Sequence, residues 1–186
     1  MVQFVRCKVC GYIIKESKLG DLCPACGVKK TAFESYEPTI SEKRMKILEF
    51  HIHPILVHFP QGFVPAVLVL SILVAILNEP IQTYFIMALK IFSVALPFVV
   101  VAAMGAGILD GKIRFKSITT PMLKQKIMVG STALVLSILL AVSAFLIDVK
   151  SLEILWSIVL SVLLLGCSVY LGYVGGRLTC SVKVGK

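Results

Sequence analysis

Residues 4–37 read FVRCKVCGYIIKESKLGDLCPACGVKKTAFESYE. Within them Cys7, Cys10, Cys23 and Cys26 form two C-x2-C pairs with twelve residues between the pairs. Such pairs can turn four thiolates to one point, which makes a sulfur tetrahedron around a single metal ion. Zinc and iron both accept that ligand set, so the donor chemistry alone leaves the metal open. Gly11 and Gly27 each follow the second cysteine of a pair. Glycine there permits a positive-φ turn that aims backbone N–H groups at the sulfurs, an arrangement that serves a redox centre and a zinc knuckle alike. The reading is a small knuckle at residues 1–36, held by its metal because so short a chain buries little.

Outward from this stretch the composition changes. The chain has 186 residues, 58% of them hydrophobic, and a mean hydropathy of +0.93. A soluble domain is nearer half apolar. The excess lies after His53, in four apolar runs at residues 55–77, 81–109, 127–147 and 154–174. Each meets the roughly 20 residues needed to cross a bilayer. The predicted fold class is therefore a small metal-binding knuckle plus an all-α transmembrane four-helix bundle at residues 54–186, in contact with lipid. Residues 37–53 connect the two. Ser41 is positioned to cap a short helix through Phe50. Met45, Leu48 and Ile52 share one face of that helix and Lys43, Arg44 and Lys46 lie around it, a pattern suited to an anionic leaflet as well as to a solvated linker.

The net charge of +9 does not require nucleic acid once its distribution is read. Nine Lys/Arg lie in the head and connector, five in the loop between the second and third runs, and three in the tail. Lys150 alone lies on the opposite side, and Lys90 sits inside the second run. This asymmetry places the N-terminus, the middle loop and the C-terminus in the cytoplasm of a multi-pass protein. No apolar leader precedes the cysteines, so the head is expected to stay where it is made, and in a reducing compartment its thiols bind metal rather than pair. Small residues repeat every four positions at Ala133, Ser137 and Ala141, and again at Ser168, Gly172 and Gly176, as helix seams do in membranes.

The cysteine stretch resembles the short rubredoxin domain found in rubrerythrins. CKVCGYI, the twelve-residue gap, CPACG and the Lys29-to-Phe33 ending carry that resemblance. It implies that Cys7, Cys10, Cys23 and Cys26 bind one iron cycling between ferric and ferrous, with a structural zinc ribbon as the alternative. It also implies that Phe4, Tyr12 and Phe33 form a small aromatic core.

All three histidines fall in HIHPILVHFP, as His51, His53 and His58. Pro54 suits a first helical turn, and His51 and His58 share a face if the helix extends back that far. This segment resembles a family of four-helix membrane domains without an assigned function. Their first helix opens with the same His-Pro-x-x-Val-His-Phe-Pro run, the second ends in Gly-x-x-Asp (here Gly107 to Asp110), and the fourth ends in Gly-Gly-x-Leu (here Gly175 to Leu178). Members carry further histidines at the start of the third helix and in the tail, where this chain reads PMLKQKIM and TCSVKVG.

His53 and His58 are candidates to ligate haem or bind a quinone headgroup, with His51 as a third candidate. Imidazoles at a helix end can also simply anchor at the interface. Gln61 is an auxiliary candidate near His58. Lys90 either pairs with a cofactor anion or snorkels to the interface. Cys167 reads as a small packing group and Cys180 as a free or lipidated thiol. No Walker loop, catalytic triad or paired membrane carboxylates occur. The combination reads as a membrane-anchored one-electron carrier, rather than a complete enzyme, between a cytoplasmic redox partner and a haem, quinone or protein acceptor. The alternative is a zinc-ribbon binding module on a non-redox membrane protein. A homo-oligomer is compatible with either.

Overall fold

A computed structural model describes residues 3–37, 41–146 and 151–179. The head is a three-stranded antiparallel sheet of β1 (Phe4–Cys7), β2 (Ile13–Lys15) and β3 (Phe33–Tyr36), with β1 in the centre. Val5 faces Ile14 on one side and Ser35 on the other. Arg6 lies opposite Glu34 and forms an ion pair with it across the strands.

Two turns of the same design interrupt the sheet. In the first, Cys7 N–H donates to the Tyr12 carbonyl and Gly11 N–H to the Cys7 carbonyl. In the second, Cys23 N–H donates to Val28 and Gly27 N–H to Cys23. Gly11 and Gly27 close these turns at φ 76° and 73°, a region that disfavours any residue with a Cβ. The expected aromatic core is only partly realised. Phe4 is buried and Phe33 half-buried, but Tyr12 is 40% exposed. Its backbone is committed to the first turn, and its ring is left at the surface.

The connector holds α1 (Glu42–Leu48), shorter than the helix expected through Phe50. Ser41 precedes it, yet its hydroxyl caps nothing; instead its carbonyl accepts the Met45 N–H. The chain then turns at His51, which has φ 49°, before α2 (Ile52–Ile76) begins. His51 is thus outside the helix and exposed, and the shared face with His58 does not exist.

The remaining helices are α3 (Ile81–Phe115), α4 (Pro121–Leu146) and α5 (Ser151–Thr179). Each helix packs on the next and α5 returns to α2, which closes a four-helix bundle. All four are long and apolar enough to cross a membrane. The interior holds Val64, Val67 and Val74 against Leu89, Leu96, Leu140 and Leu164. Ala133 and Ser137 of the expected α4 seam are buried, whereas Gly176 of the α5 series is exposed. Ser71 donates to the Val67 carbonyl at 2.8 Å and Ser161 to the Ser157 carbonyl at 2.6 Å, each within its own helix, whereas the buried Ser93 hydroxyl has no partner among the described residues. The outer surface carries Ile72, Phe98, Val135, Phe145 and Val169, all exposed. A bundle apolar both inside and outside is built for lipid rather than water.

Candidate functional site

The two turns of the head bring their sulfurs together. Cys7 and Cys26 Sγ lie 3.8 Å apart, as do Cys10 and Cys23 Sγ, and all four sulfurs fall within 4.8 Å of one another. A tetrahedron with metal–sulfur bonds of about 2.3 Å has edges of about 3.8 Å. The residues therefore fit a four-thiolate metal ion, and this geometry suits zinc and iron equally. The first cysteine of each pair is buried, with Cys7 at 1% and Cys23 at 2% exposure, while Cys10 and Cys26 lie open at the tip.

The turn geometry also prepares the charges. Burial pushes the Cys7 thiol up, but the N–H groups of Cys10 and Val9, with the adjoining sulfurs, outweigh it and bring it down to about 7. Cys23 is lowered against its own burial by the N–H groups of Ala25 and Cys26. At Cys26 the Val28 N–H pulls downward most strongly, yet desolvation and the three neighbouring sulfurs together push the thiol up to about 12. Crowded sulfurs resist carrying four negative charges unless a cation joins them.

A second feature lies inside the bundle. All four helices surround a cavity of about 320 Å³. His53, His58 and Gln61 reach it from α2, Gly107 and Asp110 from α3, Lys126 from α4, and Gly175 and Gly176 from α5. The three short stretches singled out in the sequence thus converge on one place. Their packing explains the glycines. A Cβ on Gly107 would stand 3.0 Å from Cε1 of His53, so the imidazole lies on bare helix backbone. A Cβ on Gly175 would stand 3.8 Å from Nζ of Lys126.

The sequence-predicted site residues divide between positions. His53 is half-buried in the cavity wall, while His58 and Gln61 line it at its exposed flank. His51 does not line it. Neither does Lys90, seventeen residues from Gly107 along α3 and so about 25 Å away. Lys90 thus does not lie beside the histidines, and its interface alternative is left standing. Cys167 is half-buried and packs against the hydrophobic core. Cys180 lies outside the described residues.

Lys126 was not legible as a site residue. Its Nζ approaches Nε2 of His53 at 3.5 Å. In the sequence it is one of five loop cations, yet α4 starts at Pro121 and places Lys126 inside the helix. Pro121 was the available signal, since proline favours a first helical turn. Asp110 accepts from Arg114, Nε to Oδ2 at 2.9 Å, one turn along α3.

Comparison with known proteins matches this division of the chain. Residues 6–34 match the family model described as "Rubrerythrin, rubredoxin-like domain". Residues 49–186 match the one described as "Predicted membrane protein (DUF2231)". No curated protein and no solved structure matches significantly. With one model covering the four helices and the other the sulfur site, the chain belongs to the DUF2231 family of predicted membrane proteins and carries a rubredoxin-like domain as its membrane-associated metal-binding module.

Proposed function

We propose that this protein is a membrane-anchored one-electron carrier, with one iron in the four-cysteine head and an electron acceptor or donor at the bundle cavity. The observation that carries the reading is the sulfur tetrahedron, with its 3.8 Å edges, fused to a bundle whose cavity gathers two histidines. Iron in four thiolates takes and gives one electron without requiring an acid or a base. The match to a rubredoxin-like domain favours iron over zinc.

The chain's own residues supply the rest. Backbone N–H groups of the two turns hold thiolate charge at Cys7 and Cys23. Cys10 and Cys26 present an exposed sulfur edge, the natural point for an electron to enter or leave. The excess of basic residues on one side favours a cytoplasmic head, within reach of a soluble redox partner. Protease added to intact cells is expected to leave the head uncut, and cleavage within residues 15–30 would overturn that orientation.

The functional test is anaerobic. Membranes bearing the protein are reduced, and a membrane-soluble oxidant is added while the visible colour of the ferric head is followed. Colour returns in the intact chain and returns more slowly in a His53→Ala/His58→Ala double variant whose head spectrum is unchanged. Equal rates in the two proteins would overturn the role of the cavity. A colourless zinc-loaded protein would overturn electron transfer altogether.

A further inference from the structure

The cavity holds more hydrogen-bond donors than the molecule itself uses. Lys126 carries three N–H bonds, and among the described residues its hydrogen-bond partner is Nε2 of His53 at 3.5 Å, a weak contact. Among the described residues no carboxylate lies within ion-pair distance of it; Asp110, in the same cavity wall, acts on it only at longer range and is bonded to Arg114. Nδ1 of His53 is buried and makes no well-formed hydrogen bond among the described residues, its one candidate acceptor being the Ala103 carbonyl of α3. Donors left unpaired inside a half-buried cavity are costly unless a ligand completes them.

The cavity has two ends. His53, Asp110 and Lys126 sit close to the helix ends. Val64 and Val100 line it some ten residues further along their helices, about 15 Å deeper. A ligand that fits has a flat or compact polar group at the loop side and an apolar body pointing into the bundle. That is the division of a small-molecule site with few convergent polar groups in an apolar wall.

We infer that the cavity binds a quinone-class headgroup, with Lys126 and His53 directed at a ring oxygen. This deepens the carrier reading above and rests on it only for the source of electrons. A quinone carbonyl is a neutral acceptor, so it satisfies the ammonium without needing a second unpaired cation. A haem held by both histidines does not suit the site. His53 and His58 come from the same helix, five residues and about 140° apart, and they cannot face each other across a flat macrocycle. Gly107 contributes by absence: a Cβ there would crowd the His53 ring at 3.0 Å, so the bare backbone lets the imidazole lie at the cavity wall.

The redox balance follows. A quinone takes two electrons and two protons to become a hydroquinone. Two ferrous heads are therefore oxidised to ferric for each quinone, and the two protons must come from water at the loop side of the cavity, where His53 and Lys126 sit close to the helix ends.

The test uses the full chain in detergent, loaded with zinc so that binding does not depend on redox activity of the head. A water-soluble 1,4-naphthoquinone is titrated by equilibrium dialysis. The expected result is saturable binding of one molecule per chain. Lys126→Met weakens it about tenfold or more, as loss of a charge-assisted hydrogen bond does. Lys126→Arg retains part of the affinity, Lys90→Met retains all of it, and equal zinc content in every variant reports an intact head. Absence of saturable binding, equal affinity in Lys126→Met, or displacement of the quinone by glycerol phosphate would overturn the assignment. Glycerol phosphate displacement would point to a phospholipid headgroup instead. A second arm loads iron and counts ferrous heads oxidised per quinone, with two expected. Quinone binding by a protein that accepts only zinc would leave this site standing and remove the carrier reading, so the two failures are distinguishable.

Discussion

Cys7 and Cys26 touch across the sulfur tetrahedron, yet hold their protons very differently. The first is brought to about 7 by backbone N–H groups, and the second is pushed to about 12 by its crowded neighbours. Metal requires both as thiolates. Between those two values the metal-free head keeps a proton on Cys26 and none on Cys7, so metal uptake displaces the Cys26 proton. Apparent affinity then rises with pH, by about tenfold per pH unit for that proton. Below about 7, Cys7 contributes a further proton and the dependence steepens. Competition with a chelator across about pH 6 to 9 reads this slope, and a flat profile would contradict the coupling. Gly107 gives a second prediction at the same scale. Alanine is favoured over glycine inside a helix by about 1 kcal/mol. Gly105 faces open space, so Gly105→Ala is expected to hold or raise the melting temperature. Gly107→Ala forfeits that gain because the His53 ring must move, and its Nε2 moves away from Lys126. Equal gains at both positions would contradict the seating of His53. The cysteine spacing and the histidines were legible because each announces its chemistry within a few residues. Lys126 was not, since its role arises only where α4 passes α2.

At the scale of elements, the head is the part that depends on something other than packing. Its strands have four, three and four residues, and its buried apolar side chains are few, Phe4 and Val5 among them. A sheet of that size is not stable without its metal. Removing the metal from the full chain is expected to open Lys15, Lys18, Lys29 and Lys30 to trypsin while the bundle survives as a resistant fragment. A head that still resists trypsin after verified metal loss would contradict this. Helix boundaries were only partly legible. The second apolar run stops at Leu109, but α3 continues to Phe115; the third run starts at Ile127, but α4 starts at Pro121. Hydropathy marks depth in lipid, whereas backbone hydrogen bonding carries a helix on through its charged ends. The break at His51 was hidden for a different reason. A left-handed histidine is uncommon and has no sequence signal of the kind glycine provides.

Across the whole molecule, the division into a sulfur head and a four-helix bundle was legible because the two parts obey opposite rules. One is specified by ligand spacing with little apolar surface, the other by apolar length with little charge. Their conjunction gives the chain its functional meaning, since a metal centre with two exposed sulfurs is tethered to a membrane cavity lined by idle donors. The cavity itself could not be read from composition. It forms where three short stretches, far apart in sequence, converge on different helices of one bundle. The most direct test of electron carriage is a reductive titration of the purified full chain, with iron and zinc quantified in the same sample. One iron and one electron accepted per chain, with the visible colour lost at that equivalence, is the expected result. One zinc per chain, no colour and no electron uptake would contradict it.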